Sequence, residues 1–152
     1  MLRIDRRLSV TLSYICCALA FFGVLGLAIA LPFFRSETVP FFANQDRFGV
    51  LNYILEYAIL ALVLLATVCL VLLLNNVRAG AIFTDASVQL LRVISWASLL
   101  AGAICVPLSF LIEWDVLLAI AFVGLFLGVV LRVVKNVIEE GTAIKAENDG
   151  TI

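Results

Sequence analysis

The sequence predicts an all-α membrane protein: a bundle of four transmembrane helices whose last helix extends beyond the membrane into the cytoplasm. Two observations support this fold class. Of the 152 residues, 64% are hydrophobic and 14% are charged, whereas soluble domains are about 45–50% apolar and about 25% charged. The charged residues are also concentrated between four long apolar stretches, as expected when a helix needs about 20 apolar residues to cross the hydrocarbon layer.

Charge-free stretches locate the four spans, and they run over residues 8–34, 57–77, 93–112 and 116–131. Allowing for interfacial ends, we expect one domain, residues 1–152, with spans near 9–31, 49–74, 92–112 and 116–134 and a cytoplasmic tail, 135–152. The first span also resembles a signal peptide, because arginines precede it. Its apolar run exceeds the usual length of about 7–15 residues, so we favour a retained helix.

The distribution of Lys and Arg predicts the orientation. The chain has 10 basic residues, and all but Arg35 and Arg47 lie near the termini or in the central loop. Because cytoplasmic segments are enriched in Lys and Arg, we expect both termini to be cytoplasmic.

Several kinds of chemistry lack their usual residues. The chain has no histidine, and its four cysteines lie in apolar runs without C-x-x-C spacing, so we expect no catalytic site, metal site, cofactor or disulfide framework. The net charge is -1, and no basic patch indicates direct binding to nucleic acid. We therefore expect a protein that is not an enzyme.

Glu56 is the one carboxylate that could lie at membrane depth, where an ionisable side chain is a candidate proton or cation site. That position would suit a small transporter or channel component with a carboxylate on the outer side. The second apolar segment is longer than a span requires, so a structural position at the outer interface, beside Asn52 and Tyr57, is the favoured alternative.

The central loop and the C-terminal segment carry local signals. Gly80 can end the second helix, and Thr84 suits the N-cap of the third helix. Phe83 can pack against the loop or the membrane interface. The fourth helix can project past Arg132, although Gly141 weakens it by about 1 kcal/mol relative to Ala. The tail is then either a solvated end or a protein-docking element.

Small residues mark faces on which helices can approach closely in lipid. The candidate positions are Gly23, Gly26 and Ala30 in the first helix, Ala97, Ala101 and Cys105 in the third, and Gly124 and Gly128 in the fourth.

A family resemblance rests on the pattern Gly80-x-x-Phe83-Thr84, followed by Leu91-Arg92 and Trp96, and on the C-terminal residues 147–152. These segments resemble the bacterial four-span membrane family called domain of unknown function 2975, or YoaS-like proteins. The resemblance covers nearly the whole chain, although Ser87 and Gly150 stand where the family usually has Asn and Leu. It implies a small inner-membrane protein without established enzymatic activity, often encoded beside a small helix-turn-helix regulator.

The resemblance and the topology together suggest a membrane-bound modulator or sequestering partner of such a regulator. The candidate partners are the lipid bilayer, the cytoplasmic regulator and a second copy of the chain. The candidate docking residues are Phe83, Thr84, Arg92, Glu147, Asn148 and Asp149.

Overall fold

The computed structural model describes the backbone of residues 6–38, 45–112 and 115–150, and the side chains of residues 11–33, 51–110, 116–148 and 150. Within these ranges the chain is helical except for the short turn at residues 79–84, and it contains no β-strand. The four helices are α1 (Arg6–Thr38), α2 (Gln45–Arg78), α3 (Asp85–Ile112) and α4 (Asp115–Gly150).

All four helices contain a segment long and apolar enough to cross a membrane. These segments are Thr11–Phe33, Leu51–Arg78, Asp85–Phe110 and Val116–Asn148. The all-α fold class with four transmembrane helices is therefore confirmed, and the protein is a multi-pass membrane protein in contact with the lipid bilayer. Large apolar side chains such as Phe22, Phe110 and Phe122 are more than two-thirds exposed, as expected for surfaces that lipid covers.

The last helix is longer than a bilayer requires. Its 36 residues correspond to about 54 Å at about 1.5 Å per residue, whereas the hydrocarbon layer is about 30 Å thick. The charge-free part of α4 ends at Leu131, and charged residues then recur up to the end of the helix. We call residues 135–150 the α4 extension. The helix runs through Gly141 without a break, and residues 151–152 of the predicted tail lie outside the described residues.

The helices pack in chain order, α1 on α2, α2 on α3 and α3 on α4, and the contact between α3 and α4 is the most extensive. The contacts of α3 with α4 and with α2 are the two most extensive, so α3 is the most enclosed helix of the described structure. It accordingly supplies most of the buried side chains, which include Val88, Leu91, Ile94, Ala97, Cys105 and Leu108. The face of α3 that carries Ala97 and Ala101 borders α2 across a groove of about 190 Å³.

Glycines allow α3 and α4 to approach closely. A Cβ atom added to Gly102 would lie 2.9 Å from the backbone nitrogen of Leu125, and one added to Gly128 would lie 2.6 Å from Cγ of Leu99. Gly124 in turn faces the backbone of Gly102, because a Cβ atom added to Gly124 would lie 3.4 Å from the Gly102 Cα atom. The predicted close packing at Gly124 and Gly128 therefore occurs, and its partner is α3.

The first helix packs differently from the prediction. A Cβ atom added to Gly23 or Gly26 would have no neighbour within 4 Å among the described residues, so these glycines do not form the expected packing face within that part of the chain. Instead, α1 meets α2 through hydrogen bonds. The Tyr14 hydroxyl donates to Oδ1 of Asn75, and the Tyr57 hydroxyl donates to the carbonyl oxygen of Ala28 over 3.1 Å.

Candidate functional site

The candidate docking residues in the central loop lie on a tightly hydrogen-bonded turn. Gly80 has a φ of +78°, a left-handed conformation that glycine adopts without steric cost. Its amide donates to the carbonyl of Val77 over 3.2 Å, and the amide of Ala81 donates to the carbonyl of Asn76 over 2.9 Å. This pair of bonds is the Schellman motif, and it ends α2 as the sequence predicts.

Thr84 begins α3 as its N-cap. Its Oγ1 accepts a hydrogen bond from the amide of Ser87 over 3.3 Å, which satisfies one of the amides left without an intrahelical partner at a helix start. The Ser87 hydroxyl is fully buried. It donates to the carbonyl of Ala81 over 3.1 Å and accepts from Nδ2 of Asn76 over 3.3 Å. One buried hydroxyl therefore joins the end of α2, the turn and the start of α3.

Phe83 connects this turn to the α4 extension. A Cβ atom added to Gly141 would lie 2.7 Å from Cε1 and 2.9 Å from Cδ1 of the Phe83 ring, so the ring occupies the space that any larger residue would need. The ring is nevertheless 46% exposed. Gly141, which the sequence marks only as a weak point of the helix, is thus the contact site for Phe83.

Close to the contact of Phe83 with Gly141, an ion-pair cluster joins α3 and α4. Glu139 is 3.5 Å from the Arg92 guanidinium and also pairs with Lys135 one turn earlier on its own helix. The side chains of Arg92 and Glu139 are each about half exposed, and such pairs contribute little to stability, about 0–1 kcal/mol. The Arg92–Glu139 pair joins the α4 extension to α3.

Two further contacts join the helices closer to the membrane. The Arg132 guanidinium lies over the ring of Trp96, with its Cζ atom 4.9 Å from the ring centroid. Beside Trp96, the buried Ser95 hydroxyl donates to the carbonyl oxygen of Gly128, one turn before Arg132 in α4, over 2.9 Å. The α3–α4 contact is therefore continuous from the apolar segment to Gly141.

The structure brings only some of the predicted docking residues together. Phe83 and Thr84 lie on the α2–α3 turn and Arg92 lies in α3, seven residues after the first residue of that helix. Glu147 and Asn148 are exposed near the end of the α4 extension. Glu147 is six residues beyond Gly141, or about 9 Å along the helix axis. Asp149 belongs to the same helix, but its side chain lies outside the described residues.

Glu56 lies in α2, in a second polar region toward the other end of the helix. Its side chain is partly buried, and its Oε2 atom is enclosed. Asn52, one turn earlier, is 4% exposed with its Oδ1 atom also enclosed. Because residues four apart lie on one helix face, the two side chains share a face. Among the described residues, no group of three or more His, Cys, Asp or Glu is arranged to hold a metal ion.

Comparison with models of protein families shows which family the chain belongs to. Residues 32–152 match the family described as "Protein of unknown function (DUF2975)", and this range includes all of α2, α3 and α4. The chain belongs to this family. The DUF2975 match confirms the resemblance inferred from the loop and tail patterns. Comparison with curated proteins and with solved structures finds no match.

The residues of α4 that contact the turn and α3 were not predicted from the sequence, and neither was part of the face of α3 that packs against α4. Glu139, Gly141 and Gly102 were not among the predicted contact residues. A periodic signal for the α3 face is nonetheless present. Small residues recur at helical spacing of three and four residues, and they are Ser95, Ser98, Gly102, Cys105 and Ser109. All of these but Ser98 are buried.

Proposed function

We propose that this DUF2975 protein is a non-enzymatic protein of the bacterial cytoplasmic membrane that holds a cytoplasmic helix-turn-helix transcriptional regulator at the membrane. The α2–α3 turn and the α4 extension form the docking surface. The α4 extension is the observation that carries the proposal. Its residues 135–150 add about 24 Å of helix at about 1.5 Å per residue, and crossing a bilayer does not require such a continuation.

The orientation is part of this proposal. The excess of Lys and Arg near the termini and the central loop favours a cytoplasmic position for both termini, the turn and the α4 extension. In a cysteine-free variant, a membrane-impermeant maleimide should label Thr38→Cys in intact cells, but should label Ala146→Cys only after the membrane is permeabilised. The reverse labelling pattern would place the docking surface outside the cell and refute the proposal.

Charge supports a basic partner. Besides the ion-paired Glu139, the α4 extension carries Glu140 and Glu147, and a helix-turn-helix regulator needs a positively charged face to contact DNA phosphates. An acidic helix that occupies this face competes with DNA, so docking would sequester the regulator. The half-exposed ring of Phe83 supplies an aromatic anchor of the kind that contributes strongly at protein interfaces.

The decisive experiment is co-purification with a helix-turn-helix regulator of the kind that the family resemblance implies is often encoded beside such genes. Deleting residues 146–152 leaves the charge-free part of α4, which ends at Leu131, intact. It should remove the regulator from solubilised, purified protein and change transcription of its targets. The double variant Glu140→Gln/Glu147→Gln should weaken binding, whereas Lys145→Gln, a control on the same helix with the opposite charge, should not. If the truncated protein keeps both the regulator and its effect on transcription, the tail is a solvated end and the proposal is wrong.

A second candidate is a small transporter or channel component that uses Glu56. The enclosed oxygen atoms of Asn52 and Glu56 on one face of a membrane helix favour it, because ionisable groups at membrane depth often mark proton or cation pathways. In liposomes, Glu56→Gln should abolish ion-dependent flux, while the control Glu140→Gln on the α4 extension should not. Flux that is absent in the native protein, or equal in native protein and Glu56→Gln, would exclude this candidate.

A further inference from the structure

A positively charged cluster lies at the boundary of the apolar region between α3 and α4. Arg92 precedes the charge-free run of α3, and Arg132 follows the charge-free run of α4. Because α3 and α4 run antiparallel and touch at Trp96 and Arg132, both arginines lie at the same edge of the hydrocarbon layer. We call Arg92, Trp96, Arg132, Lys135 and Glu139 the boundary cluster.

The boundary cluster has an excess of positive charge. Its three cations share one carboxylate, Glu139, which pairs with Arg92 and Lys135. The cluster therefore has a net charge of +2. Within the part of the chain that the structure describes, no carboxylate or carbonyl oxygen accepts a hydrogen bond from Arg132.

The contact with Trp96 leaves the guanidinium of Arg132 able to bind an anion. The Cζ atom of Arg132 lies 4.9 Å from the centroid of the indole ring, and the N–H donors of a guanidinium point outward in its own plane. Those donors fit two oxygen atoms of a phosphate at once. Trp96 is itself 49% exposed at the level where tryptophan side chains usually meet lipid headgroups.

We propose that the boundary cluster binds the phosphate group of an anionic phospholipid. Arg132 provides the paired N–H donors, Arg92 adds a second positive charge, and Trp96 orients Arg132 and contacts the lipid below its headgroup. The ends of the charge-free runs of α3 and α4 put these groups near the expected depth of the lipid phosphates, where each Lys or Arg near an anionic membrane strengthens binding by about five-fold.

Fluorescence of Trp96 tests this proposal directly. Trp114 is the other tryptophan of the sequence, so full-length Trp114→Phe protein reports on Trp96 alone. The protein is reconstituted in phosphatidylcholine bilayers that contain phosphatidylglycerol, with bromine on the chains of one lipid or the other. Bromine quenches the indole on contact, and the two quenching curves give the relative affinity for the anionic lipid.

We expect a preference for phosphatidylglycerol of about five-fold or more in the Trp114→Phe parent. Arg132→Gln should reduce the preference to near one, whereas the control Arg78→Gln, which removes an exposed arginine outside the boundary cluster, should leave it unchanged. Glu139→Gln removes the negative charge of the cluster, so it should increase the preference by up to about five-fold. This gain cannot arise from misfolding.

Two results would overturn the assignment. The first is equal quenching by both brominated lipids in the parent, or a preference that survives Arg132→Gln. The second concerns free phosphate as the ligand. Inorganic phosphate and sodium chloride at equal ionic strength should weaken the preference equally. If inorganic phosphate abolishes it and sodium chloride does not, the site binds the free anion and not a lipid.

Discussion

Gly102 is where an added methyl group should disturb the packing of α3 against α4 most directly. A Cβ atom there would lie 2.9 Å from the Leu125 backbone nitrogen and 3.0 Å from the Ala121 carbonyl oxygen. Both atoms belong to the backbone of α4, so a side-chain rotation cannot relieve the clash. Gly102→Ala therefore forces the two helices apart along their largest contact.

The expected loss in the free energy of unfolding of Gly102→Ala follows from comparison with Gly23→Ala. Both substitutions place alanine in a helix interior, and each should gain about 1 kcal/mol from helix propensity. A Cβ atom at Gly23 meets nothing within 4 Å among the described residues, whereas overpacking a close contact costs about 1–3 kcal/mol. The propensity gains cancel, so we expect Gly102→Ala to be less stable than Gly23→Ala by about 1–3 kcal/mol.

Buried cysteines provide the assay. Cys17, Cys69 and Cys105 are buried, and Cys16 is exposed, so a thiol-reactive dye should report unfolding in detergent once Cys16→Ser removes the background signal. Since 1 kcal/mol corresponds to about 2–4 °C for a chain of this size, Gly102→Ala should melt about 4–8 °C below Gly23→Ala for a difference near 2 kcal/mol. Equal or higher Tm for Gly102→Ala would refute the close approach of α3 and α4.

Three further predictions concern the α2–α3 turn. Thr84→Val removes the cap of α3 at constant shape and should cost about 1 kcal/mol in the same dye assay, while Thr142→Val, which removes a local bond within α4, serves as the control. Gly80→Ala should cost about 1–3 kcal/mol, because alanine is strained at a φ of +78°. Phe83→Ala should accelerate amide hydrogen exchange in residues 135–150 and leave residues 120–130 unchanged, because it removes the contact with Gly141.

Each of these outcomes can fail in a specific way. If the Thr84→Val protein is as stable as Thr142→Val, another group must cap the start of α3 when the Thr84 hydroxyl is absent. A neutral Gly80→Ala would show that the turn can adopt another backbone conformation. Unchanged hydrogen exchange in Phe83→Ala would mean that the ion pairs of Glu139 alone are sufficient to hold the α4 extension.

The parts of the fold that could be predicted from the sequence depend on local physical rules. Apolar length alone located the four helices, because a helix in lipid must satisfy its own backbone. The Gly80 end of α2 and the Thr84 start of α3 were also predictable, since both depend on residues within one turn of the helix end. The continuation of α4 beyond the apolar segment was predicted as well.

The contacts between helices were less predictable, because they depend on how α3 and α4 are aligned along their length. Nothing local connects Phe83 with Gly141, which are 58 residues apart, or Arg92 with Glu139. A lipid-exposed helix is also apolar on every side, so hydrophobicity does not identify its packing face. Small residues carry that information. Ser95 and Gly102, which the prediction omitted, contact α4 and recur at helical spacing with the predicted Cys105. The predicted Ala97 and Ala101 border the groove beside α2.

A test of the docking proposal must distinguish residues that hold the fold together from residues that are exposed to a partner. Phe83, Thr84 and Arg92 already contact other parts of the chain, so replacing them disturbs the α2–α3 turn or its contact with α4 before it affects any partner. Glu147 lies past Gly141 in a stretch, residues 143–148, that is exposed throughout. Glu147→Gln keeps the size of this exposed side chain and removes only its charge, so it tests the charge that a partner would meet. If only the Phe83, Thr84 and Arg92 variants lost the regulator, its loss would report a displaced α4 extension instead of a broken interface.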